Sequence, residues 1–134
     1  MNKLIAIICC ILVVFTACKD NTEDEKPIDN PDIFGTWKRL AVGDISGSDT
    51  NYTNYSENIF HKFFENGTYE EHKTSSGFTS VAHYTFGLSN DTLKFYSMGG
   101  VLDHKNFCRL SSSTLIIHTP PDADNHVYKL TKVN

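Results

Sequence analysis

An all-β fold, an eight-stranded antiparallel up-and-down barrel, is what this sequence predicts for residues 33–134. Three observations predict it. From Ile33 onward there is no long helical periodicity, only a repeated rhythm of short alternating apolar runs and polar turns. Asn66-Gly67 stands between two such runs, and that dipeptide is the strongest short-range hairpin signal. Finally, Leu88-Ser89-Asn90-Asp91-Thr92-Leu93-Lys94-Phe95 is echoed in spacing and type by Leu110-Ser111-Ser112-Ser113-Thr114-Leu115-Ile116-Ile117. Each copy reads as a strand end, a three-residue polar turn and a strand start. Two copies of one hairpin corner argue for a meander, not a solenoid.

The chain before this domain is of a different kind. Met1-Asn2-Lys3 supplies one positive charge, Leu4 to Phe15 is unbroken apolar sequence, and Thr16-Ala17-Cys18 leads into an abruptly polar stretch. The apolar run falls short of the roughly 20 residues that span a bilayer. Charge, short apolar run and small residues before a cut site make residues 1–17 a secretory signal peptide. Residues 18–32 hold six acids against two lysines and contain Pro27 and Pro31, so they read as an acidic flexible tether.

Strand one is expected at about 33–42, opening on Ile33-Phe34-Gly35-Thr36-Trp37-Lys38-Arg39-Leu40 and carrying the only tryptophan. Residues 43–56, rich in Gly, Ser, Asp, Asn and Thr, read as a long polar loop. Strands two, three and four are expected at about 57–65, 68–74 and 80–88, and strands five to eight at about 91–97, 104–110, 114–119 and 126–133. Gly99-Gly100 and Pro120-Pro121-Asp122 supply later turns. Alternation places Ala82, Tyr84, Phe86, Leu93, Phe95, Cys108, Leu110, Leu115, Ile117, Tyr128 and Leu130 inside, against mostly polar outward partners. The Asn66-Gly67 hairpin has two possible registers. A two-residue loop sets His61 opposite His72 and Phe64 opposite Tyr69. A three-residue loop with Gly67 as a bulge sets Phe63 opposite Tyr69 and His61 opposite Glu71, which keeps Ile59, Phe63 and Tyr69 on one face and is preferred.

Composition narrows the function. Nine Phe, six Tyr and one Trp in 134 residues support a packed core. Residues 33–134 hold ten acids against nine bases, and this near-neutral domain behind an acidic tether excludes a nucleic-acid partner. Cys108 is the only cysteine after Cys18, so no internal disulfide is expected and Cys108 reads as a small buried hydrophobe. His61, His72, His83, His104, His118 and His126 are scattered singly and read as surface or strand-face residues, without the short-spaced pairs typical of zinc. Asp122, Asp124 and Asn125 lack the glycine and distal glutamate of a calcium loop. No nucleophile elbow, phosphate loop or dinucleotide fingerprint is present, and Glu70 and Glu71 point to opposite faces. His104 and Cys108 lie roughly 13 Å apart along one strand, too far to pair. No catalytic residue, metal or cofactor is expected.

Phe15-Thr16-Ala17-Cys18 resembles the lipobox of bacterial lipoproteins, with Phe15 where the family prefers Leu. The resemblance implies cleavage before Cys18 and acylation of its thiol, so that the membrane partner is reached through lipid. Lys19 follows Cys18 where an inner-membrane retention signal would have Asp, which implies outer-membrane delivery, on the periplasmic face or the cell surface. Gly35-Thr36-Trp37-Lys38, the Phe63-Phe64-Glu65-Asn66-Gly67-Thr68-Tyr69 hairpin and the two Leu-Ser-x-x-Thr-Leu corners resemble the short lipocalin-like domains found behind such a lipobox. In that family the tryptophan closes the barrel floor under a basic side chain. Gly35 and Trp37 match the first part, and Lys129 or Lys132 stands where an arginine is usual. The family's Thr-Asp-Tyr motif is absent. The resemblance implies a small apolar or amphipathic ligand, with Tyr52 and Tyr55 on a lid at 43–56 and Phe63, Tyr69, Tyr84, Phe86, Phe95 and Tyr128 lining the interior. The alternative is a barrel filled by its own side chains, serving as a non-catalytic protein-interaction or accessory module at the cell surface, as the partner of an uptake complex or as an inhibitor.

Overall fold

Each strand from the third onward pairs with its successor, and the first pairs with both the third and the last, so the sheet shuts on itself. The computed structural model describes residues 28–46, 49–120 and 125–134. The predicted signal peptide, Cys18 and most of the tether lie outside the described residues, as do Asp122 and Asp124. The strands are β1 Gly35–Ser46, β2 Asp49–Asn54, β3 Asn58–Phe63, β4 Thr68–Ser75, β5 Phe78–Ser89, β6 Thr92–Tyr96, β7 Leu102–Leu110, β8 Thr114–His118 and β9 His126–Val133. All pairings are antiparallel. The result is a closed eight-stranded antiparallel barrel with one extra strand, β2.

That extra strand corrects the expectation of a loop at 43–56. β1 runs on to Ser46 and β2 returns beside it, with Gly43 opposite Tyr52 and Ala41 opposite Asn54. Because β9 occupies the other edge of β1 over Thr36–Asp44, β2 must lie on the edge that β3 uses over Gly35–Lys38. β2 and β3 therefore act as one strand with an irregular joint at 55–57, crossed by a bond from the Tyr55 N–H to the Leu40 carbonyl at 2.9 Å. Polar composition hid the strand, but Thr50, Tyr52 and Thr53 are good strand formers once β1 supplies a partner. Gly43 fits here because a Cβ would lie 2.6 Å from Thr50 Cγ2 and 3.0 Å from the Tyr52 ring.

The turns follow their residues. Phe63 pairs with Tyr69 and His61 with Glu71, the bulged register. Gly67 sits at φ +79°, and the Asn66 side-chain oxygen accepts from the Thr68 N–H at 3.1 Å. The two echoed corners differ in detail. Leu88 lies opposite Leu93 and Leu110 opposite Leu115, so both loops hold an even number of residues and neither is the three-residue corner expected. Asn90 and Asp91 turn with positive φ, whereas the second copy closes with the Ser111 N–H on the Thr114 carbonyl at 2.9 Å. Asn and Asp tolerate the left-handed region that serine enters less readily.

The described chain begins on the barrel floor. Ile28 packs against the core, the Asp29 N–H bonds to the Leu88 carbonyl at 3.3 Å, and Pro31–Ile33 form a 3₁₀ turn capped by the Asn30 side chain. The packed unit thus reaches back into residues that composition assigns to the tether. Ile33, Trp37, Phe63, Leu93, Leu115 and Leu130 are fully buried, joined by Tyr69, Phe86, Leu88, Phe95, Cys108 and Ile117 in one core. Tyr84, Leu110 and Tyr128 pack on it half-buried, as alternation indicated.

Candidate functional site

β1 turns Trp37 and Arg39 inward before its register shifts at Leu40, so Arg39 follows Trp37 into the barrel and is 9% exposed. β3 and β4 face it. His61 alternates inward with Ile59 and Phe63, and Glu71 lies directly across from it, two residues beyond Tyr69. These four side chains form a closed ring of hydrogen bonds. Arg39 reaches the His61 Nε2 from Nε at 3.3 Å and from Nη2 at 3.0 Å. A guanidinium only donates, so Nε2 is the acceptor and the imidazole proton sits on Nδ1. Nδ1 then donates to the Tyr69 hydroxyl at 2.6 Å, and that hydroxyl donates to Glu71 Oε2 at 3.4 Å. Arg39 Nη2 closes the ring on the same oxygen at 3.2 Å. The guanidinium also lies 4.1 Å from the centre of the Tyr128 ring and 5.8 Å from that of Tyr55.

Burial sets the electrostatics. His61 is pushed down to about 3, first by burial and second by the Arg39 charge beside it. Tyr69 is held well above the usual phenol range by burial and then by the Glu71 carboxylate. The ring therefore holds one cation, one anion and two neutral groups at neutral pH. His61, with its acceptor occupied and its pKa near 3, is a poor base there. Recognition is the chemistry this set offers: guanidinium donors, a phenol and a half-open carboxylate on one wall. The sequence reading of His61 as a surface or strand-face histidine needs correction, since alternation with Ile59 and Phe63 carries it inside.

The other wall is aromatic. Tyr69 lies 4.7 Å from Phe95 and 4.9 Å from Phe63, ring centre to ring centre, and Phe63 meets Phe86 edge-on at 5.0 Å. Phe95 stacks on His104 at 4.6 Å, with Tyr84 6.3 Å away. On β7, Asn106 turns inward between His104 and Cys108 and is 7% exposed. Its side-chain oxygen has no hydrogen-bond partner among the described residues. Phe78, Met98 and Val101 stand exposed at the turns of the end opposite the floor.

The structure brings Phe63, Tyr69, Tyr84, Phe86 and Phe95 together in that aromatic wall, and Tyr128 against Arg39. Tyr52 is not inside, whereas Tyr55 is half-buried with its ring 5.8 Å from the Arg39 guanidinium. Tyr52 is exposed over Gly43, and the Tyr55 hydroxyl donates to Glu57 at 3.2 Å. On the floor, the Trp37 indole N–H donates to the Ile33 carbonyl at 2.7 Å. Lys132, cross-strand from Trp37, holds its ammonium 5.2 Å from the indole and donates to the Asp32 carbonyl at 3.0 Å. Gly35 makes room for it, since a Cβ there would meet Lys132 Cε at 3.3 Å. Lys129 is exposed on the outer face. Compared with known proteins, the chain matches no protein-family model, no curated protein and no solved structure.

Arg39, Glu71 and Asn106 were not legible as site residues, because a charged or amide residue in a strand reads as outward. A signal existed all the same. Trp37 inside implies Arg39 inside, and the bulged register already sets His61 against Glu71.

A cavity of about 210 Å³ lies at the floor end, lined by Asp29, Asn30, Leu88, Asn90, Asp91, Cys108 and Leu110. Cys108 is buried beside it, and burial, then Asp91, pushes its thiol up to about 11. Among the described residues no group of three or more His, Cys, Asp or Glu is placed to hold a metal ion.

Proposed function

We propose that the chain is an outer-membrane lipoprotein, held by acyl groups on Cys18, whose lipocalin-like barrel takes a small amphipathic ligand through the end opposite Trp37. The observation that supports a ligand most is the buried Arg39–His61–Tyr69–Glu71 ring. Apolar residues of similar volume often hold a core as well as a buried ion pair does, so a barrel that is only a scaffold gains little from one. Asn106 adds an inward oxygen without a donor. The ligand's acceptor group faces Arg39, a donor group faces Asn106, and its apolar body lies against Tyr84, Phe95 and Tyr128. The exposed Phe78, Met98 and Val101 give that body an apolar approach.

A second reading has its own support. Close packing of Phe63, Tyr69, Phe86 and Phe95 favours a filled barrel acting as a non-catalytic interaction or accessory module at the cell surface. Native mass spectrometry of protein taken from its own envelope separates the two. A small-molecule adduct on the wild type that is lost in Arg39→Met supports the ligand reading. Bare protein, unchanged by an excess of envelope lipid extract, refutes it. The anchor is tested by Cys18→Ala, which should move the protein from the membrane to the soluble fraction; unaltered fractionation would exclude lipidation.

A further inference from the structure

The outer wall of β6, β7, β8 and β9 carries a feature that neither a ligand nor an anchor uses. Leu93 and Phe95, Asn106 and Cys108, Leu115 and Ile117, and Leu130 face in, so Lys94, Lys105, Phe107, Arg109, Ile116 and Lys129 face out. Register brings them side by side. Lys94 is directly opposite Lys105, Arg109 is opposite Ile116, and Ile116 is opposite Lys129. Phe107 lies between Lys105 and Arg109 on β7 and is 64% exposed.

Two aspects of this stripe run against fold stability. Like charges directly opposite each other in a sheet are destabilising. None of the four cations has a carboxylate within 4 Å among the described residues, although Arg39 and Lys73 each have one. The only acid on the same face of β7 is Asp103, at the far rim, and it contacts His104 at 2.7 Å. Phe107 adds a large exposed aromatic at the centre of the basic patch.

We propose that this wall is a docking face for an anionic lipid bilayer. Charge complementarity selects an anionic partner, and shape selects a lamellar one. The stripe lies on a convex barrel wall, where a small anion finds no enclosure, and the cavity at the floor end is lined by Asp29 and Asp91. Phe107 stands among the cations where a charged partner would need hydrogen-bonding groups. A bilayer offers the matching layers, anionic headgroups for Lys94, Lys105, Arg109 and Lys129 and apolar interface beneath them for the ring.

The test is co-sedimentation of residues 18–134 with Cys18→Ser, which lack both the apolar leader and the acylated thiol, with vesicles of phosphatidylcholine alone and with about a third phosphatidylglycerol. Binding to the anionic vesicles only, weakening steeply with salt, is expected. Each basic residue near such a surface strengthens binding about fivefold, so Lys94→Gln with Lys105→Gln should weaken it roughly twenty-five-fold. Phe107→Ser should weaken binding without changing its salt dependence, and Lys62→Gln on β3 should leave it unchanged. Buried Trp37 emission checks that every variant is folded. Absence of binding to anionic vesicles overturns the proposal, including the case in which an acidic protein binds instead. Equal binding to both vesicle types, or a double variant that binds like the wild type, also overturns it.

Discussion

His61→Gln should flatten the acid side of the stability curve. The unfolded histidine takes up a proton near pH 6.5, while the buried one stays neutral down to about 3. Below 6.5 the unfolded state therefore binds the extra proton, and stability falls with pH at about 1.4 kcal/mol per unit until the folded value is reached. Between pH 7 and pH 4.5 the loss traceable to His61 is about 2.5 kcal/mol. Glutamine retains an oxygen for Arg39 and an N–H for Tyr69 but does not titrate. Urea unfolding followed by the emission of Trp37, the only tryptophan, measures both proteins at both pH values. Glu57 and Glu70, held low by Lys73 and His72, also lose stabilisation as pH falls, but equally in wild type and variant. The difference between the two proteins isolates His61. A variant that loses as much stability as the wild type on acidification would refute the buried neutral imidazole.

Two further outcomes are expected. Trp37→Ala removes a fully buried ring and should destabilise by about 3–5 kcal/mol in the same assay, and a loss below about 1 kcal/mol would remove Trp37 from the floor. Cys108 should resist iodoacetamide in the native protein at pH 8 and react fully in urea, read by peptide mapping; native labelling at the rate of a free thiol would contradict its burial.

Most strands were legible because one side of each is apolar, and Leu93-Lys94-Phe95 needs no partner to declare its face. β2 was not, since Asp49–Asn54 has mostly polar residues on both faces and owes its extended form to β1. The floor illustrates a different limit. Lys129 and Lys132 are equivalent by composition, and only the register of Trp37 against Lys132 separates them. The interior ring was hidden for a third reason. Its members lie on three strands, and their polar character is tolerable inside only because each satisfies another, a condition that no single stretch of chain displays.

The closure of β1 on β9 also bears on how the chain can fold. Thr36 pairs with Val133, so the seam joins the first strand to the last and cannot form until the whole domain is present. β3 to β9 can build by successive hairpins between neighbours, whereas sealing must close a loop of nearly the entire domain. Until then β1 and β9 both present open edges, the state in which a β-protein is most exposed to aggregation. A chain that emerges N-terminus first keeps β1 waiting longest. Truncation before His126 would therefore do more than shorten the protein, because it would leave a sheet with nothing to close it.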